Sequence, residues 1–89
     1  MNEQTYRIEL TSRAERDLLR LPSNISRRLI PRIDGLARQP RPPGVKKLSD
    51  EESLYRIRSG DYRIIYQVRD EVLLVLIVSV GHRREIYRR

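Results

Sequence analysis

The stretch Leu54–Val68, L-Y-R-I-R-S-G-D-Y-R-I-I-Y-Q-V, alternates arginine with tyrosine and aliphatic residues on either side of a Ser-Gly-Asp turn. Strand side chains point to opposite faces with a period of two, so Ile57 must face away from Arg56 and Arg58. The register of the two strands follows from this. With Arg58 opposite Arg63 and Ser59 to Tyr62 as the loop, Ile57 meets Ile64 and Tyr55 meets Tyr66. Arg56, Arg58 and Arg63 then share the other face with Ile65. A slip of one residue would drive arginine onto the apolar face and bury unpaired charge. One face therefore builds a core, and the other carries three fixed positive charges suited to an anion.

The remaining elements read in order around this hairpin. Tyr6 to Leu10 alternates Tyr, Ile and Leu with Arg7 and Glu9, the pattern of an outer, half-buried strand. Thr11-Ser12 opens a helix, with Ser12 and Glu15 at capping-box spacing. Ala14, Leu18 and Leu21 form its apolar stripe, while Arg13, Arg16, Asp17 and Arg20 face water. Pro22 stops it. Ser23 or Asn24 caps a second helix to about Gln39, with Ile25, Leu29, Ile33, Leu36 and Ala37 inward. Pro31 interrupts this helix and predicts a kink or a division into two. After the stiff P-R-P-P-G loop come a short edge strand at Val45 to Leu48 and an acidic turn. Beyond the hairpin, Val72 to Val80 is a nearly continuous apolar run, the mark of a central strand covered on both faces. The order β-α-α-β-β-β, with a short C-terminal tail or helix, predicts an α+β fold. In it an antiparallel sheet carries an N-terminal helical hairpin on one face, as one domain over residues 1–89.

Composition narrows the function. Lysine plus arginine is 19 against 12 acids, a net charge of +7, and only Lys46 and Lys47 are lysine. Arginine's planar fork pairs with phosphate bidentately and stacks on bases. A small domain dominated by arginine points to nucleic acid or an acidic protein; the bland alternative is a solvated basic surface. Cysteine is absent, which excludes disulfides, a thiol nucleophile and cysteine metal sites. No leader-like segment and no membrane-length apolar run is present, so the expectation is a cytoplasmic location without membrane contact.

These residues resemble a known family. The helical hairpin, V-K-K-L, then L-Y-R-I-R-S-G-D-Y-R-I-I-Y-Q-V and V-S-V-G-H-R-R-E-I-Y-R-R resemble the RelE/ParE superfamily of bacterial toxins, over essentially Tyr6 to Arg89. The basic strand positions and a tail tyrosine favour the RelE branch. The resemblance implies a type II toxin that cleaves mRNA in the ribosomal A site. The RNA 2′-hydroxyl attacks the adjacent phosphate, leaving a 2′,3′-cyclic phosphate (or 3′-phosphate) and a 5′-hydroxyl, without metal or cofactor. Such a transfer needs positioning, positive charge around the developing phosphorane, and an acid and a base. The chain has no Asp/Glu cluster at metal-ligand spacing, in keeping with that route.

The resemblance assigns catalytic roles to Arg56, Arg58, Arg63, Arg83 and Tyr87, and His82 joins them as a candidate base from its own chemistry. Arg58 and Arg63 stabilise phosphate charge, Arg83 interacts with the leaving group, and Tyr87 orients or stacks on the RNA. Lys46, Lys47, Arg84, Arg88 and Arg89 are read as RNA-binding. The chain departs from the family where arginines stand at strand positions that can hold lysine. Arginine stays protonated, so Arg56 is a poor base, and His82 or Tyr87 is left to take that role. Blander readings stand beside these: a solvated sheet face for the arginines, a tail tyrosine docking the chain end, and an ordinary surface histidine. The implied partners are a cognate acidic antitoxin, the ribosome and mRNA, and a toxin–antitoxin hetero-oligomer on operator DNA. Two other functions remain open: a ParE-like inhibitor of DNA gyrase, and a non-catalytic homologue acting as co-repressor with its antitoxin.

Overall fold

The structure, a computed structural model, describes residues 5–82. Its elements are β1 (Arg7–Leu10), α1 (Ser12–Arg20), α2 (Ser23–Gly35), β2 (Lys46–Ser49), β3 (Leu54–Ser59), β4 (Tyr62–Arg69) and β5 (Leu74–His82). One 3-10 turn, Asp70–Val72, links the last two strands. They form one five-stranded sheet in the order β1-β5-β4-β3-β2. The pairings β2–β3, β3–β4 and β4–β5 are antiparallel, as the hairpin connections require, but β1 runs parallel to β5. The α+β architecture stands, with a mixed sheet. Parallel neighbours need a long connection, and the helical hairpin with three strands between β1 and β5 supplies one.

The β3–β4 register is the one that the alternation dictates: Arg58 opposite Arg63, Ile57 opposite Ile64, Tyr55 opposite Tyr66. Leu29, Ile33 and Leu36 pack with Ala14 against Tyr55, Ile57, Ile64, Tyr66, Val68, Val75, Ile77 and Val80. The Tyr55 and Tyr66 rings stack at 5.9 Å within this core. The Tyr66 hydroxyl donates to the carbonyl of Pro40 at 2.6 Å, which gives a buried phenol its partner and pins the proline-rich loop.

The helices attach through details that periodicity does not carry. Thr11, one residue before Ser12, is the cap of α1. Its Oγ1 accepts from the Ala14 amide at 3.0 Å and donates to the Val78 carbonyl at 2.8 Å. That carbonyl is available because β5 bulges. Ile65 pairs with Ser79 but Tyr66 with Ile77, so Val78 is an extra residue. The bulge resets the alternation, directing Val80 rather than Ser79 into the core. Asp17, expected in water, instead accepts from the Val80 amide at 2.9 Å and clamps α1 to β5. Helix α2 has Pro22 at its cap, with no side-chain bond, and ends at Gly35 rather than near Gln39. It runs on through Pro31, which sits on its exposed side. Among the described residues, no helix is long and apolar enough to cross a membrane.

Outside the core, Arg41 is the centre of a surface lock. It donates to both carboxylate oxygens of Asp70 at 3.2 and 2.8 Å, and its Nε donates to the Tyr55 hydroxyl at 2.9 Å. Tyr6 adds a hydroxyl donor to Asp70 at 2.6 Å. The hydrogen bonds from Arg41, then from Tyr6, hold the Asp70 carboxyl below its ordinary range. A carboxyl depressed in the folded state contributes stability above its unfolded pKa, about 3.9, and loses it as pH falls through the folded value. Asp70→Asn is therefore expected to destabilise the protein at pH 7, with the difference from wild type shrinking below about pH 4. Urea unfolding at pH 7 and pH 3 checks this, and an equal gap at both would refute it.

Candidate nucleic-acid interface

The sheet face away from the helices holds the basic side chains in two rows. Lys46, Arg56, Ile65 and Ser79 are cross-strand neighbours in one row, and Arg58, Arg63 and Gly81 in the next. Neighbours across strands lie about 5 Å apart and same-face residues along a strand about 7 Å, so these cations can converge on a single phosphate. Lys46 and Arg58 are exposed and Arg56 is half-buried.

Arg63 differs from the others. It is only 6% exposed, and its Nη1 reaches the carbonyls of Gly60 and Tyr62 only at 3.4 Å. Its Nε is buried without a hydrogen-bond partner. A guanidinium taken out of water and bonded this weakly is costly unless an anion completes its shell. Gly81, beside it on β5, contributes no side chain to block an approach. The hairpin turn adds a cation that the sequence reading passed over. Gly60 sits at φ +62, and a Cβ placed there would come 2.9 Å from Nη2 of Arg28, on α2. No sequence pattern pairs Arg28 with the turn, and only the tertiary fold carries it there.

Other predicted site residues lie elsewhere. Lys47 pairs with Tyr55, not with the arginines; its Nζ lies 2.8 Å from Asp50 and 5.8 Å from the Tyr55 ring centroid. His82 pairs with Tyr62 on the helix side of the sheet, the rings meeting edge to face at 5.5 Å. Arg83, Arg84, Tyr87, Arg88 and Arg89 fall outside the described residues. The fold thus gathers Lys46, Arg56, Arg58 and Arg63 on one face and sets Lys47 and His82 on the other. Among the described residues no three of His, Asp and Glu come together as a metal site.

This fold has known counterparts. Residues 8–87 match the family described as the ParE toxin of the type II toxin-antitoxin system, parDE. "Toxin RelG" of Mycobacterium tuberculosis is 35% identical over 85 residues, covering 94% of this chain and 98% of the relative. The "mRNA interferase toxin RelE" of Escherichia coli is 33% identical over 86 residues, covering 92% and 90%. The toxin–antitoxin complex RelBE2 of M. tuberculosis contains a chain that superposes with a TM-score of 0.79 at 31% identity, over 94% of this chain and 98% of that one. The chain belongs to the RelE/ParE superfamily of type II toxins.

The environment of Arg63 makes a prediction about stability. Methionine keeps much of its volume and removes the buried charge. Arg63→Met should leave the unfolding free energy unchanged, or raise it by on the order of 1 kcal/mol, in urea titration. A loss of about 3 kcal/mol would mean that the guanidinium holds the fold together.

Proposed function

We propose that this toxin is a ribosome-dependent endoribonuclease that cuts mRNA in the ribosomal A site. The observation that carries the reading is Arg63, buried and short of acceptors, in a row with Arg58 and beside Arg56 and Lys46. A phosphate oxygen is the acceptor this cluster lacks, and the relative named an mRNA interferase supports RNA as its source.

In the proposed reaction the 2′-oxygen attacks the adjacent phosphorus in line and the bond to the 5′-oxygen breaks. The products are a 2′,3′-cyclic phosphate and a 5′-hydroxyl. Arg58 and Arg63 hold the non-bridging oxygens as charge builds on them, with no reorganisation at the moment of reaction. Arg56 and Lys46 position the flanking backbone. Arg83 assists the departing 5′-oxygen, and Tyr87 orients the RNA. Arg84, Arg88 and Arg89 add backbone contacts, and the route uses no metal ion. His82 or Tyr87 takes the 2′-proton; the place of His82 on the helix side favours Tyr87. The ribosome presents the strand, which places the reaction in the cytoplasm.

The partner that restrains this activity is a cognate acidic antitoxin. The solved relative in complex with its antitoxin supports it, as does the charge of +7. Charge complementarity speeds such an encounter, and binding stabilises the toxin by mass action. The complex is the species proposed to bind operator DNA. A second reading, inhibition of DNA gyrase, draws on the ParE description of the matched family.

Primer extension on mRNA in a translating extract separates the two. Cuts within codons that require ribosomes are expected, and Arg58→Ala and Arg63→Ala should each slow them about 10²- to 10³-fold. Arg83→Ala and Tyr87→Phe should also weaken them. Growth arrest with intact mRNA would sink the nuclease and point to gyrase.

A further inference from the structure

Behind the end of the arginine face, between α1, the first residue of β4 and the last residues of β5, lies a cleft of about 560 Å³. That volume falls within the usual range for a small-molecule or nucleotide seat. Its lining includes the aromatic Tyr62 and His82, the apolar Leu21 and Pro22, and the cationic Arg13 and Arg20. The Tyr62 and His82 rings, edge to face at 5.5 Å, give the cleft an aromatic side on which a base could pack. Asp17, also in the lining, is held by the Val80 amide, and Arg13 stands 3.8 Å from it. Arg20 is exposed and enters no ion pair among the described residues. The cleft therefore pairs aromatic side chains with cationic ones, the combination that binds single-stranded nucleic acid.

Its position ties it to the arginine face. Tyr62 and Arg63 are consecutive residues about 3.8 Å apart at Cα, with side chains on opposite faces of the sheet. A strand whose phosphate lies on Arg63 can turn the end of the sheet at Gly60, where Arg28 stands, and bring a neighbouring base to Tyr62. We infer that this cleft is a second RNA subsite, seating one unpaired nucleotide that flanks the phosphate held by Arg58 and Arg63. The inference rests on the RNA-cleaving reading above and extends it. A helical protein segment would instead seek aliphatic surface, and that lies elsewhere, at Leu10, Leu18 and the 85% exposed Leu19.

The test uses oligoribonucleotides with a 2′-deoxy residue at the cut, which blocks cleavage, and 4-thiouridine at each flanking position in turn. They are offered to the toxin with and without ribosomes, and crosslinks are mapped by mass spectrometry. An all-ribose strand is run in parallel. One flanking position should crosslink to Tyr62 or His82. Arg20→Ala, at an exposed site that spares the fold, and Tyr62→Leu should each reduce that crosslink about tenfold, the scale of one lost stack. Crosslinks confined to β3 and the open face overturn the subsite, as does an Arg20→Ala variant that binds its antitoxin poorly while crosslinking normally. If the all-ribose strand stays intact while the Tyr62 crosslink persists, the nuclease reading falls and the subsite stands. Cleavage without that crosslink removes the subsite alone.

Discussion

The period of two in the β3–β4 hairpin is the constraint on which the rest of this molecule depends. Tyrosine and isoleucine at Tyr55, Ile57, Ile64 and Tyr66 face the helices, and arginine at Arg56, Arg58 and Arg63 faces the other way. A slip by any odd number of residues fails on both faces, because it exchanges an aliphatic side chain for a guanidinium in the core. That single pairing fixes where the helices pack, which side of the sheet stays open and which charges gather there. Core and site are two faces of the same two strands.

The same alternation has a cost on the open face. Like charges set directly across from one another repel, and Arg58 pairs with Arg63. Arg63 is also buried, with long hydrogen bonds and an orphaned Nε. Natural sequences tolerate such local conflicts mainly where function needs them. An anion completing the hydrogen bonds of this guanidinium would relieve the conflict.

The joints between layers follow a different logic. The bulge at Val78 switches the alternation of β5 so that Val80 enters the core, and it frees a carbonyl for Thr11. Asp17 takes the amide of Val80, two residues on. Together they fasten α1 to the end of β5 and shape the cleft beside Tyr62 and His82. Arg41 and Asp70 do similar work at the opposite end, joining the proline-rich loop to the turn before β5.

The sequence by itself determined the elements, the β3–β4 register, the central place of β5 and the company of Arg56, Arg58 and Arg63. These follow from local alternation and from the penalty for burying charge, both readable without a partner strand. It did not reveal the parallel pairing of β1 with β5, the cap at Thr11, the clamp at Asp17 or the end of α2 at Gly35. Nor did it separate Lys46 from Lys47, show the burial of Arg63, or bring Arg28 to the Gly60 turn. Each of these depends on which distant backbone group or cross-strand neighbour stands opposite a residue. A bulge of one residue reverses that assignment without altering composition or periodicity. Only the assembled sheet, with its helices docked, decides which face a charge occupies and whether it keeps its water.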